Sequence, residues 1–226
     1  MIIIYPKKTY LFIILVFIAT VICILSLFID KDDASIQKIS LYAGKNTTKI
    51  AHISLPNKYK RIYYKNGSYG HYIRNLQLKP SGSPVLLYNG AYKNRQDVHH
   101  RVLKIDVGTY NLQQCADAVM RIRAEYFYNY KRFKKIRFNF TSGHTIYFYK
   151  WALGYRPRVA GRRVFFVKSG KRDFSYKNFR KYLIRIYQYA GSMSLSRELK
   201  RVNNINNIMI GDVFIKGGFP GHAVFV

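Results

Sequence analysis

The chain has 226 residues, which fits one domain of ordinary size with a short additional segment. An apolar content of 49% and an aromatic content of 16% exclude a disordered chain, even though the formal net charge is +29. With 15 glycines, 6 prolines and 2 cysteines, the composition also excludes a collagen-like repeat and a small disulfide-held domain.

The first predicted element is an apolar segment near the N-terminus. Residues 10–29 contain no charged side chain, and a helix of this length matches the roughly 30 Å hydrocarbon core of a bilayer. The segment predicts a retained signal-anchor, so residues 1–29 are interpreted as a membrane anchor. A cleaved signal peptide and a lipoprotein acylated at Cys23 are the alternative interpretations. The segment lacks a small-x-small cleavage site, and Ile22 before the cysteine is not a small residue.

Charges on either side of this segment predict its orientation. Lys7 and Lys8 precede it, whereas residues 30–33 are mostly acidic. Because the basic flank stays in the cytoplasm, the C-terminal part is expected to be extracytoplasmic, in the periplasm or at the cell surface. Residues 30–48 are polar without periodicity and predict a tether, and residues 49–226 are expected to form one domain.

The domain is predicted to contain short strands and a few helices. In its first half, Ser68 is expected to cap a short helix, and Asn89 followed by Gly90 predicts a turn. Apolar residues at helical spacing predict the most regular helix over residues 111–130, with Asn111 as its cap. The strands predicted in this half are residues 49–55, 85–88 and 102–107.

The sequence of the second half of the domain predicts more strands. The expected elements are a strand at 135–141, helices at 147–153 and 176–189, a strand at 164–168, a helical turn at 196–199, and a hairpin of residues 212–215 and 222–226. Because helices come early and strands gather late, the pattern predicts an α+β domain rather than a doubly wound sheet.

Cys115 and His222 are the candidate catalytic residues. Cys115 lies in the first turn of the predicted helix, where unpaired N–H groups stabilise a thiolate and can hold an oxyanion. His222 opens a strand after a glycine-rich turn, and a thiol beside a neutral imidazole is the activated pair of cysteine hydrolases. The alternative is that Cys115 is a buried core residue and His222 a structural histidine.

Two resemblances bear on this pair. The segment IGDVFIKGGFPGHAVFV, residues 210–226, resembles the histidine hairpin of NlpC-like and cysteine-histidine amidohydrolases and the histidine strand of papain. From Tyr69 to the C-terminus the chain also resembles an uncharacterised bacterial family, domain of unknown function 4846. The blocks that carry this second resemblance are YIRNLQLKPSGSPVLLYNG, VLKIDVGTYNLQQCADAVMRIRAEY, RFNFTSG, SYKNFRKYLIRIYQYAGSMSLSREL and residues 210–226.

The resemblance to papain-like enzymes implies a role for four residues. Cys115 would be the nucleophile, His222 the base, and Gln113 or Gln114 a donor to the oxyanion. Papain-like enzymes take the residue that orients the histidine from sequence after the histidine strand, and this chain ends four residues past His222. The sequence therefore predicts a papain-like fold that is truncated at its C-terminus, with no cofactor and no metal.

Two functions follow as hypotheses. The first is a membrane-anchored cysteine amidase or peptidase that acts on peptide or amide bonds of the cell envelope. The alternative is a non-catalytic envelope binding or structural module whose basic surface attracts polyanions. The expected partners are the membrane, through residues 10–29, and an anionic envelope polymer or a peptide substrate. Nucleic acid is disfavoured, because the charges are spread along the chain and an outward-facing domain meets envelope polymers first.

Overall fold

The computed structural model describes residues 48–226, which divide into two units. The larger unit consists of residues 49–51 and 61–226 and contains every helix and strand labelled below. Of the smaller unit, the structure describes Thr48 and residues 52–60, where the Pro56 carbonyl accepts a hydrogen bond from the Tyr59 N–H at 3.2 Å.

The α-helices of the described residues are short apart from two. They are α1 (Tyr69–Arg74), α2 (Cys115–Asn129), α3 (Phe148–Ala152), α4 (Tyr176–Tyr189) and α5 (Ser192–Glu198). Serine side chains begin two of them, and the sequence predicts the first of these caps, Ser68. Ser68 Oγ accepts a hydrogen bond from the His71 N–H, and Ser175 Oγ accepts one from the Asn178 N–H, both at 3.3 Å.

Strands in this part of the chain form three separate antiparallel pairs. They are β1 (Arg137–Asn139) with β2 (Thr145–Tyr147), β3 (Tyr155–Ala160) with β4 (Arg163–Lys168), and β5 (Val213–Lys216) with β6 (His222–Phe225). The β5–β6 hairpin pairs Lys216 with His222 and Val213 with Phe225.

The hydrophobic core is built around α2, α3 and α4 and is rich in aromatic rings. Tyr128 stacks on Phe179 with ring centroids 4.4 Å apart. Trp151 of α3 donates a hydrogen bond from Nε1 to Asn178 Oδ1 of α4 at 3.0 Å. Tyr182 donates one to the Ile146 carbonyl at 2.8 Å. Burying a large apolar side chain contributes about 1.5–3 kcal/mol, so this aromatic core holds the helices around it in place.

Several predicted strands of the first half are wrong. Residues 85–88 and 102–107 contribute only isolated bridges, between Leu86 and Tyr92 and between Leu78 and Leu103. The predicted strand at 49–55 is reduced to a bridge between Lys49 and Gln77, followed by a single 3-10 turn at Ile50–His52. These apolar runs lack a neighbouring strand over their length, and without one an extended segment gains few ladder hydrogen bonds.

The predicted fold class also needs correction. The described residues are α+β, but none of their helices combines the length and apolar character needed to cross a bilayer. The longest is α2, whose 15 residues span about 22 Å and include buried Asp117 and Arg121. The anchor predicted over residues 10–29 lies outside the described residues, as does nearly all of the tether predicted over residues 30–48. A papain-like fold is not supported either, because the strands form separate hairpins rather than one larger sheet.

Candidate functional site

Cys115 is the first residue of α2 and is partly buried. The helix cap is Gln114, three residues beyond the Asn111 cap that the sequence predicts. The Gln114 N–H donates to Asp117 Oδ2 at 3.0 Å, and the Gln114 carbonyl accepts from the Ala118 N–H at 2.9 Å. These bonds fix the start of the helix at Cys115. The first backbone N–H groups of an α-helix have no partner within the helix, so Cys115 lies at the positive end of the helix dipole.

His222 is the first residue of β6 and is exposed. Along β6 the side chains alternate, so buried Ala223 faces the core together with Phe225, whereas His222 shares the opposite face with Val224. The turn before it packs closely against the start of α5. A Cβ atom on Gly221 would overlap Ser192 Oγ, which donates to the Gly218 carbonyl at 3.3 Å. Gly221 therefore allows the backbone approach that sets the position of His222.

The structure brings the two elements that carry this pair together. Strand β6 packs against α2. The Phe225 ring lies 6.5 Å from the Tyr69 ring, which lies 5.1 Å from the ring of Tyr126 in the C-terminal half of α2. These contacts place the Phe225 end of β6 near the C-terminal half of α2. Across residues 48–226, no hydrogen bond joins Cys115 Sγ to the His222 ring, so the catalytic pair stays a prediction.

Gln113 and Gln114, the predicted oxyanion donors, differ in their surroundings. The Gln113 side-chain oxygen accepts a hydrogen bond from Arg121 Nη1 at 2.8 Å. Because that bond occupies the oxygen, the side-chain NH₂ group of Gln113 is the end available to a ligand. Gln114 is exposed and serves as the cap of α2. Of the two, Gln113 is the better candidate donor.

A buried arginine network next to the site was missed by the sequence analysis. Arg121, with 3% of its side chain exposed, bonds to the Asp106 carboxylate at 3.0 Å and to Glu125 at 3.4 Å. It also bonds to the Asp106 carbonyl. Arg180 holds the same Asp106 carboxylate through two bonds of 2.9 and 3.0 Å. The Arg180 and Arg121 bonds keep the pKa of Asp106 far below its usual range. The i, i+4 spacing of Arg121 and Glu125 is the one part visible in the sequence.

Asp117 is a second residue that the sequence analysis missed. Its side chain is buried, and the oxygen that does not bond to Gln114 has no hydrogen-bond partner. Burial raises the pKa of Asp117 to about 6. Its position three residues after the cap is the sequence signal of a capping box, which the predicted start at Asn111 concealed.

No group of three or more histidine, cysteine or acidic side chains in residues 48–226 is arranged to hold a metal ion. Comparison with curated proteins and with solved structures finds no match. A family model described as domain of unknown function (4846) matches residues 50–226. That match includes Cys115, His222 and the whole arginine network, and it extends over most of the chain. The chain therefore belongs to the domain of unknown function 4846 family.

Proposed function

We propose that this chain is a cysteine-dependent amide hydrolase, with Cys115 as nucleophile and His222 as general base. One observation carries the proposal. The only cysteine of the described residues is the first residue of α2, and the strand that packs on α2 begins with a histidine. A thiol at a helix N-terminus beside an imidazole is the arrangement that nucleophilic acyl transfer requires.

The chemistry follows from these positions. His222 accepts the thiol proton, and the Cys115 thiolate attacks the carbonyl carbon of an amide. Backbone N–H groups at the start of α2 and the side-chain NH₂ of Gln113 stabilise the oxyanion. The imidazolium then donates its proton to the leaving amine as the carbon–nitrogen bond breaks. A water molecule deprotonated by His222 hydrolyses the thioester, which releases the acid and restores the thiol.

The charge of the chain bears on the substrate class. A formal net charge of +29 raises the local concentration of anionic molecules, so peptides and amides that carry carboxylates are the favoured substrates. Peptides of the cell envelope belong to this class. Exposed His222 lies on a face of the hairpin that a peptide can reach without displacing the core.

Alkylation of the thiol tests the proposal. The full chain carries Cys23 and Cys115, so a Cys23→Ser background makes iodoacetamide labelling specific for Cys115. A free thiol has a pKa of about 8.5 and is mostly protonated at pH 6, whereas an activated thiol reacts at that pH. We expect Cys115 to be alkylated at least about tenfold faster than N-acetylcysteine at pH 6.

Two histidine variants show whether fast alkylation of Cys115 depends on His222 or only on exposure of the thiol. The His222→Ala variant is expected to lose the rate advantage at pH 6, whereas His100→Ala, at an exposed position in a loop, is expected to keep it. Labelling of Cys115 no faster than the free thiol would contradict the hydrolase proposal. That result would favour the non-catalytic binding module, in which exposed His222 does not act on the thiol.

A further inference from the structure

A cleft with a volume of about 840 Å³ opens between α2, β1 and the β5–β6 hairpin. Met120, Phe138 and Phe225 form part of its floor, and the first two are 1% and 6% exposed. We call this space the α2 cleft. Protein interiors leave few voids larger than a water molecule, and sites for small ligands usually measure about 300–1,000 Å³. The cleft therefore has the size and the apolar floor of a ligand site.

Basic side chains line the α2 cleft. They are Arg123, Lys134, Lys135 and Arg137. All four are exposed, and none forms an ion pair with a carboxylate anywhere in residues 48–226. The Arg123 guanidinium lies over the Tyr69 ring at 4.5 Å and over the Phe127 ring at 4.4 Å. These contacts hold the charge of Arg123 against the apolar wall.

The acidic residues of the α2 cleft do not cancel this charge. Glu198 accepts a hydrogen bond from the Asn139 N–H, and burial raises its pKa. Asp212 accepts one from the Met209 N–H at 2.8 Å. Each carboxylate is thus engaged by the backbone, and of the four basic residues only Arg137 interacts electrostatically with one of them, Glu198. The cleft has an excess of positive charge.

A hydroxyl group adds a hydrogen-bonding position to the α2 cleft. Tyr69 is one of the lining residues, and its Oη atom is buried without a hydrogen-bond partner among the described residues. Burial raises the pKa of Tyr69, so the hydroxyl stays protonated and can donate. A buried polar atom without a partner is uncommon in folded proteins, and a bound ligand can supply the partner.

We infer that the α2 cleft binds an amphipathic organic anion. An apolar ring system or chain occupies the floor beside Met120 and Phe138, and a carboxylate, sulfonate or phosphate group lies near Arg123 and Lys135. A polyanion without an apolar part would leave the floor empty, and an uncharged apolar molecule would leave the basic groups without a partner. This site is independent of the proposed activity of Cys115.

Two fluorescent probes test the inference on the full chain. They are 8-anilinonaphthalene-1-sulfonate and N-phenyl-1-naphthylamine, which share the same rings and differ in the sulfonate group. We expect saturable binding of the sulfonate probe at least about tenfold tighter than binding of the uncharged probe, because charge-assisted contacts to the rim add to burial of the rings.

Matched variants assign the binding to the α2 cleft. Arg123→Gln and Lys135→Gln are expected to weaken the sulfonate probe about five- to tenfold and to leave the uncharged probe unchanged. Lys171→Gln, an exposed lysine outside the cleft, is the control and should change neither. Met209→Trp enlarges an exposed residue that lines the cleft, so it should weaken both probes without disturbing the core.

Three results would overturn the inference. The first is equal affinity for the two probes in the unmodified chain. The second is a sulfonate affinity that falls in Lys171→Gln as much as in Arg123→Gln, which would indicate general attraction to a basic protein. The third is binding that Met209→Trp leaves unchanged, which would place the probes elsewhere, including on another segment of the chain. Native-like melting of each variant confirms that lost binding is not lost folding.

Discussion

Asp117 has the least favourable environment of the acidic side chains around the candidate site. One of its oxygens bonds to the Gln114 N–H, and the other is buried without a partner. Because burial penalises the charged form, the pKa of Asp117 rises from 3.8 to about 6. Between those pH values the folded chain binds a proton that the unfolded chain has released. The contribution of Asp117 to stability therefore falls as the pH rises through this range, and it is lowest above pH 6.

Replacing Asp117 by asparagine tests this effect. Asparagine keeps an oxygen for the Gln114 N–H and removes the charge, so Asp117→Asn should stabilise the protein by up to about 3 kcal/mol at pH 8. At pH 4 the acid is protonated in the folded state, so the gain should shrink toward zero. Urea unfolding at both pH values measures the difference. A variant less stable than the parent at pH 8 would show that the carboxylate contributes more to capping α2 than its burial costs.

The pKa of Asp106 is shifted in the opposite direction to that of Asp117, because two arginines stabilise the charged carboxylate. Asp106→Asn leaves Arg121, with 3% of its side chain exposed, without its closest carboxylate. We expect a loss of about 2 kcal/mol, less than for a fully buried pair because Asp106 itself is 65% exposed and Glu125 remains near Arg121. The pKa of Asp106 lies far below its usual range, so its stabilising effect is present above pH 4 and is lost only in stronger acid. The deficit should therefore be equal at pH 5 and pH 8.

The matched control for this prediction is Asp97→Asn. Asp97 also accepts two hydrogen bonds from one arginine, Arg95, both at 2.9 Å, but the pair is at the surface. Exposed ion pairs contribute little to folding, so this variant should unfold at the same urea concentration as the parent. Equal losses in the Asp97 and Asp106 variants would mean that burial of Arg121 does not strengthen its network.

Among the elements, the connection from α3 to β3 depends on a single glycine. Gly154 has a φ of +98°, and a Cβ atom there would overlap the carbonyl oxygen of Gly170. The Gly154 carbonyl accepts hydrogen bonds from the Ser169 and Gly170 N–H groups at 3.1 and 3.0 Å, which closes the β3–β4 hairpin against α3. The close approach of the two backbones leaves no room for a side chain.

We therefore expect Gly154→Ala to destabilise the protein by about 3 kcal/mol or more, enough to lower the soluble yield and the Tm. Gly161→Ala is the control, because Gly161 also has a positive φ, +57°, but no atom lies within 4 Å of an added Cβ. It should cost only about 1 kcal/mol. Similar melting temperatures for the two variants would show that the Gly170 backbone moves away at little cost.

The sequence predicts those elements whose ends and periodicity are set by neighbouring residues. Helix α4 begins and ends at the predicted residues, since Ser175 caps it and its apolar positions repeat at helical spacing. The sequence does not predict strand β3, because Pro157 and its basic neighbours conceal an extended segment, which pairs with β4 within residues 48–226. Strands of this kind depend on a partner, and the sequence shows neither the partner nor its register.

The same distinction applies to the candidate site. The positions of Cys115 at a helix start and of His222 at a strand start follow from nearby residues, and the sequence predicts both. Whether the two side chains meet depends on how β6 crosses α2, and no local pattern in the sequence indicates that crossing. The bond between Asp106 and Arg180 joins residues 74 positions apart, so no local pattern could indicate it.

At the scale of the whole molecule, the formal net charge of +29 dominates the electrostatics. The chain has 10 acidic residues against 39 basic ones, so most of its basic groups have no acidic residue to balance them. Mutual repulsion of the basic groups destabilises the compact state. Salt should relieve it, because the Debye length falls from about 30 Å at about 0.01 M to about 8 Å at about 0.15 M.

We therefore expect the Tm of the full chain to rise by a few degrees over this range of sodium chloride concentration. Sodium sulfate at matched ionic strength is the comparison. Equal increases in the two salts would indicate general screening, and a larger increase in sulfate would indicate bound anions. A Tm that falls with added salt would mean that the Asp106 network outweighs the repulsion between the other charges.

The single tryptophan of the chain gives the fold a natural optical signal. The Trp151 ring is 7% exposed, with the Arg156 guanidinium 4.1 Å from its centroid and the Tyr182 ring 6.0 Å away. Its indole emission should therefore lie at short wavelength in the native protein and shift to longer wavelength when α3 separates from α4. Excitation energy absorbed by nearby tyrosines should pass to this one acceptor, and that transfer should disappear when the core opens. Tryptophan fluorescence will thus report the separation of α3 from α4 and not the average unfolding of the whole chain.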